Sequence, residues 1–315
     1  MRPKLLAVAL VVAGLSGAAG GAPAGRRADA GRTTGLVAHD YVMSARIRPL
    51  LLFWITRRDV GRATVTWRTG AGQHGYSLLI GSDPDRAHGI NRWGYLDEQI
   101  HGPDASLIGL MTVSGEQSIQ EVEARLKSGV DGHAFKVIRG SIEGDRAEAV
   151  VTTLDTPEDY SFRQLNDVLA LLPPASTQDR SRTLDLPAGT QPGFLSALAD
   201  LVHETVPRGG EPAGVARDAP IRYFYYGRMY ELRAARVRPV SALRVGETRY
   251  RDLLEAEFEN LNLSSGEITR FGMTYGTTGQ LREIPVTMTY QPRWWLRVDL
   301  ALADDGGAPG AELTR

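Results

Sequence analysis

The sequence predicts a β-rich α+β protein: antiparallel sheet curled into one or two half-barrels, with about three helices covering its apolar face. Three observations carry that reading. Segments alternating between apolar and polar residues with a period of two recur along most of the chain and are joined by short turns. Three segments begin with helix-start signals and continue with apolar residues at helical spacing. The 315 residues include no Cys, so stability rests on burial and backbone hydrogen bonding, without disulfides.

The chain opens with Arg2 and Lys4 ahead of the apolar run 5–15 and then Ala22-Pro23-Ala24. A basic start, an apolar stretch too short for a permanent span and small residues at a cleavage site make residues 1–24 an expected signal peptide. Residues 25–38, dominated by Gly, Ala and Arg, are an expected disordered lead-in. The mature protein is then expected in the periplasm or outside the cell, with no transmembrane anchor after cleavage.

An N-terminal β-rich α+β region is expected over 39–207. The segment 41–55 reads as one long strand bent at Pro49, and 57–61 as a turn. Ala63, Val65 and Trp67 then alternate inward, followed by Tyr76, Leu78 and Ile80. Ser114 with Gln117 opens a first helix bearing Ile119, Val122 and Leu126. Ser161 with Gln164 opens a second bearing Leu165, Val168, Leu169 and Leu172. Pro192 opens a third with the stripe Phe194, Leu195, Leu198, Leu201 and Val202. Between the first two lies a hairpin, 134–138 and 147–154, turning at Glu143-Gly144-Asp145.

The Pro-, Gly- and charge-rich stretch 208–220 reads as a linker, and 221–303 as a C-terminal antiparallel meander. Within that meander Leu254, Ala256 and Phe258 alternate with Glu255, Glu257 and Glu259, which puts the carboxylates on one solvent-facing side. Pro239 is expected to bend or end its strand, and Trp294, Leu296, Val298, Leu300 and Leu302 share one face. Residues 304–315 are an expected disordered tail.

Charge excludes some functions. The chain carries 36 basic and 37 acidic side chains, and without Arg2 and Lys4 the balance is 34 to 37, or −3. That overall balance gives no electrostatic case for nucleic acid or for an anionic bilayer. The stretch Gly70 to Gly75 matches G-x-G-x-x-G in letters, but the strand expected after it lacks the helix N-terminus that a pyrophosphate needs, so it reads as a hairpin loop. There is no G-x-S-x-G elbow, no H-E-x-x-H and no Cys nucleophile.

The densest polar group lies at 83–101. Asp83, Asp85, His88 and His101 are its candidate metal ligands, joined by Asp97 and Glu98, but without regular ligand spacing no metal and no cofactor is expected. Arg92, Trp93 and Tyr95 in the same stretch, with Trp294 and Trp295 near the end, are the candidate ligand-binding residues, because flat rings and a guanidinium can stack on a small molecule.

Three stretches, Phe53-Trp54-Ile55 to Val60-Gly61, Gly81-Ser82-Asp83-Pro84 to Asn91-Arg92-Trp93-Gly94-Tyr95, and Ile284-Pro285-Val286 to Gln291-Pro292-Arg293-Trp294-Trp295-Leu296, together resemble an exported bacterial envelope family without an assigned function. The last hundred residues resemble periplasmic half-barrel domains, in which an antiparallel sheet curls around a helix and whose members include lipoprotein carriers. The resemblance implies a fold and a compartment, and carries over no catalytic residue.

The function expected from all this is non-catalytic: binding or carriage of an apolar or amphipathic small molecule in a concave sheet face. One alternative is a periplasmic hydrolase or carbohydrate-active enzyme using carboxylates of 83–101. The other is a structural or assembly partner of another envelope protein.

Overall fold

A computed structural model describes residues 33–48, 54–70, 72–87, 90–113, 133–172, 180–207, 219–293 and 296–303. Its strands run in chain order as β1 (Thr33–Ile47), β2 (Ile55–Gly70), β3 (Gln73–Ser82), β4 (Trp93–His101) and β5 (Asp104–Thr112), then β6 (His133–Glu143), β7 (Arg146–Thr156) and β8 (Arg180–Asp185). The second half contributes β9 (Ile221–Tyr225), β10 (Arg228–Val245), β11 (Thr248–Asn262), β12 (Ile268–Gly276), β13 (Pro285–Arg293) and β14 (Leu296–Leu302). All belong to one antiparallel sheet in the order β8 to β1, then β14 down to β9. Two meanders are therefore fused along the β1–β14 pair, where Tyr41 faces Leu302 and Ile47 faces Leu296. The strands on either side of the expected linker share this sheet, and residues 208–218 of that linker lie outside the described residues.

Two α-helices occur among the described residues, α1 (Leu165–Ala170) and α2 (Phe194–Thr205). The first of the three expected helices falls in 114–132, outside them. Ahead of α1, the Ser161 N–H donates to Gln164 Oε1 at 3.0 Å, the local bond expected from that Ser/Gln pair.

The two helices lie on opposite faces of the sheet. Helix α1 packs outside, where Val168 joins Trp93, Leu110, Phe135 and Val137 in a small second core. Helix α2 lies inside the curl. The main core joins Ala197, Leu201 and Val202 of α2 to residues from both ends of the strand order, including Ile138 of β6 and Tyr223 of β9. A sheet whose ends meet around one helix is barrel-like. Its end strands do not form a ladder with each other; the Gln191 backbone bridges to β9, donating to Arg222 O at 2.7 Å and accepting from Phe224 N at 3.1 Å.

Several expectations are corrected. The lead-in does not extend to 38, since β1 begins at Thr33 and its first residues pair with the far end of β2, as Val37 does with Trp67. The segment 41–55 is not one strand: Ile55 turns back to pair with Ile47, so the hairpin connection lies between them. Residues 57–61 are no turn but part of β2, beside a register shift between Met43 and Ala45, with Asp59 at φ 57°. Pro239 neither ends nor interrupts β10, which continues to Val245. Strand β9 reaches only from Arg228 to Leu232 along β10, so Pro239 pairs with Leu254 of β11 alone and its missing N–H faces an open edge.

Other readings match the structure. Leu254, Ala256 and Phe258 are fully buried. On the opposite face Glu255 accepts from Arg238 at 2.7 Å, and Glu259 pairs with Arg233 and with Arg270. The β9–β10 turn is the tight pair Tyr226-Gly227, both with positive φ, which suits the twist of a two-residue hairpin.

Candidate functional site

Inside the curl, α2 does not fill the sheet. Between its Leu195, Leu198, Ala199 and Val202 and the inner face of β2, β3, β12, β13 and β14 lies a cavity of about 150 Å³. Strand parity makes its wall apolar: Val65 and Trp67 on β2, Leu78 and Ile80 on β3, Met273 on β12, Val298 and Leu300 on β14 all occupy inward positions. Few polar groups line it, chiefly Glu283, Thr289 and the Tyr76 phenol. Trp67 and Tyr76 are cross-strand partners that remain half-buried, and burial pushes the Tyr76 phenol up to about 12, with Asp200, Glu98 and Glu283 adding to the rise. The phenol is neutral at ordinary pH.

Polar bonds hold α2 at both ends. At its N-terminus, Glu98 of β4 is completely buried and accepts the N–H of Leu195 at 2.7 Å and of Ser196 at 2.9 Å. Burial raises the Glu98 carboxyl to about 7, against the opposing pull of those two backbone bonds and of Ser196. A raised carboxyl often marks catalysis. Here both oxygens are occupied by a helix end, and the group clamps α2 to the sheet. Gly193 makes the approach possible, since a Cβ there would lie 2.2 Å from the Glu98 carboxyl carbon. At the other end, Thr205 Oγ1 and the Tyr275 hydroxyl are 2.5 Å apart. His203 Nδ1 lies 2.9 Å from Glu283 Oε1, tying the last turn to the β12–β13 connection at the cavity rim.

The residues singled out at 83–101 are not brought together. Asp83 and Asp85 follow the end of β3, whereas His101 pairs with Gln73 at its start, so about 30 Å of strand separates them. Asp83 is buried and accepts from Arg163 at 2.6 Å, and Asp85 is an exposed partner of the same arginine at 3.5 Å. His88 lies outside the described residues, among which no group of three His, Asp or Glu could hold a metal. Glu98 and Asp97 point to opposite faces, and Asp97 pairs with Arg68 on the outside.

The candidate ligand-binding residues do not form a site either. Trp93 is buried in the second core, 4.8 Å from the Phe135 ring, and its Nε1 donates to Tyr160 O at 2.6 Å. The Tyr95 hydroxyl donates to Asp97 Oδ2 at 3.0 Å on the same outer face, and Arg92 is half-buried beside Asn91 and does not line the cavity. Trp294 and Trp295 lie outside the described residues. The aromatic side chains that line the cavity are Trp67, Tyr76, Phe194, Phe271 and Tyr290, of which strand alternation placed Trp67 and Tyr76 on the inward face.

No family model matches the chain, and no curated protein matches it. Among solved structures it is similar to a crystal structure described as a beta-barrel-like protein of the domain of unknown function DUF1849 from Brucella abortus. The identity is 11% and the TM-score 0.34, over 87% of this chain and 98% of that one.

Proposed function

We propose that this chain is a non-catalytic binding or carrier protein for an apolar or amphipathic small molecule, working in the periplasm or outside the cell as its N-terminal signal pattern suggests. The observation that carries the reading is the cavity between α2 and the sheet. Protein interiors are close-packed, so an apolar void of about 150 Å³ beside a helix fixed at both ends is a candidate for a guest. Apolar cavities of about this size stay dry and accept small hydrocarbon guests. The end of an acyl chain fits that chemistry, and its head would leave past Tyr76 and Glu283.

The test is a titration with parinaric acid, a fluorescent acyl chain, read by probe emission and by tryptophan quenching. Saturable binding at tens of micromolar or below is expected, with the quenching lost in Trp67→Phe. Ala199→Phe, which pushes a ring into the cavity, should weaken binding by about tenfold or more, the equivalent of 1.4 kcal/mol, while leaving the circular dichroism unchanged. A flat titration of folded protein refutes the reading.

A further inference from the structure

We propose that the outer face of the second meander carries a binding site for a neutral polyhydroxylated ligand, a single sugar unit, centred on Gly272. Glycine weakens a strand interior, and β12 is paired on both sides at this point, Gly272 with Glu257 of β11 and with Thr289 of β13. Every other described glycine has a backbone or packing reason to be one: its φ is positive, or a Cβ would lie within 3.2 Å of a neighbouring atom. Gly272 has neither. A Cβ there would meet nothing nearer than 3.8 Å. What the missing side chain provides is a hollow, the floor of a pocket of about 340 Å³, and small-molecule sites span about 300–1,000 Å³. A mid-strand glycine with open space above it marks the close approach of a ligand.

The lining decides the ligand. Strand parity sends Phe271 and Met273 to the apolar inner side, so the side chains that ring the hollow on β11, β12 and β13 are polar. Most of their charge is already balanced. Glu255 accepts from Arg238 at 2.7 Å, and Glu259 is held by Arg233 and Arg270, whose hydrogen bonds keep its carboxyl below the usual range. Arg297 donates to Asp299 at 2.8 Å and to the Thr289 hydroxyl at 3.2 Å. A neutral ligand leaves these pairs intact. Glu257 forms no ion pair among the described residues, although Arg236 is its cross-strand partner, and the paired Thr274 and Thr287 make no side-chain hydrogen bond there. The hollow therefore offers a carboxylate that accepts and hydroxyls that do both, beside the guanidiniums of Arg270 and Arg297 that donate. Neighbouring hydroxyls of a sugar ring, each donor and acceptor at once, match that set, and those facing Glu257 form the stronger, charge-assisted bonds. This pocket lies on the other side of β12 from the apolar cavity, so the two sites are separate.

Saturation-transfer NMR of the full chain with glucose, galactose, mannose and N-acetylglucosamine tests the proposal. At least one of these sugars should receive saturation from the wild-type protein and titrate with millimolar affinity. A linear oligomer of that sugar should bind more tightly than the monomer if the unit belongs to a glycan, and no more tightly if the ligand is a free sugar. Gly272→Thr, which fills the hollow, should abolish the transfer while the urea midpoint holds or rises, because threonine suits a strand better than glycine does. Glu257→Gln should weaken binding about tenfold or more and leave the midpoint unchanged. The proposal is overturned if no sugar receives saturation, if ethanolammonium does so and the sugars do not, or if either variant binds as the wild type does. A fall in the midpoint of Gly272→Thr would also overturn it, by showing that the glycine serves the fold.

Discussion

Glu98 makes the stability of this fold depend on pH in a predictable direction. Its carboxyl holds a proton to about 7 in the fold, against an ordinary value of 4.5. The folded state therefore binds that proton more tightly than the unfolded chain. The resulting stabilisation is fully present below about pH 4.5 and is lost as pH rises through about 7, and its size is about 3 kcal/mol at about 1.4 kcal/mol per pH unit. Urea unfolding of wild type and Glu98→Gln at a series of values from about pH 5 to about pH 8.5 isolates this group, because every other titrating residue is common to both chains. The wild-type advantage over the variant should shrink by about 3 kcal/mol across that range, about 1 M in midpoint. A difference between the two chains that stays constant with pH would show that Glu98 does not titrate between those limits, and would remove the argument that it sits desolvated beneath α2.

Two further predictions follow from single contacts. Gly193→Ala places a methyl group where the Glu98 carboxyl group lies; it should cost about 2–4 kcal/mol through the loss of the two backbone bonds from α2 to Glu98 and the displacement of a buried polar group, and it should also remove most of the pH dependence just described, read from the same urea series. Trp93→Ala should destabilise by about 3–5 kcal/mol, as deletion of a large buried aromatic does, and leave parinaric acid affinity within twofold, because the second core lies on the other side of the sheet from the cavity; equal loss of affinity and stability would contradict that separation.

Much of the fold was legible because strand alternation survives substitution. Leu78 and Ile80, or Leu254, Ala256 and Phe258, announce their face whatever their partners are. What misled the reading was turn chemistry at β1–β2. Arg57-Arg58-Asp59-Val60-Gly61 has the polar composition of a turn, yet it lies in a strand. The chain reverses instead between Ile47 and Ile55, across a stretch whose composition reads as buried strand. Thr33 to Ala38 were invisible for a different reason, since among the described residues they pair with β2 residues some thirty or more positions away.

The site was less legible, because a cavity is a property of volumes and not of any one residue. The apolar stripe of α2 was plain, but that the helix lies inside the curl and leaves space beside Ala199 depends on where its ends are fixed. One signal was available at Glu98. It stands between Leu96 and Ile100 at the parity of the buried face, so strand alternation alone sets it apart from Asp97, its outward neighbour. A carboxylate at that parity needs an inward donor, and the exposed N–H groups of a helix start supply one. That pairing explains the cavity physically. An apolar helix free to slide would settle until its side chains met the sheet. Helix α2 is instead pinned by Glu98 at Leu195 and Ser196, and by Tyr275 and Glu283 at Thr205 and His203. Its middle residues Leu198, Ala199 and Val202 are thus held off a wall they would otherwise close against, and the cavity is the space that results.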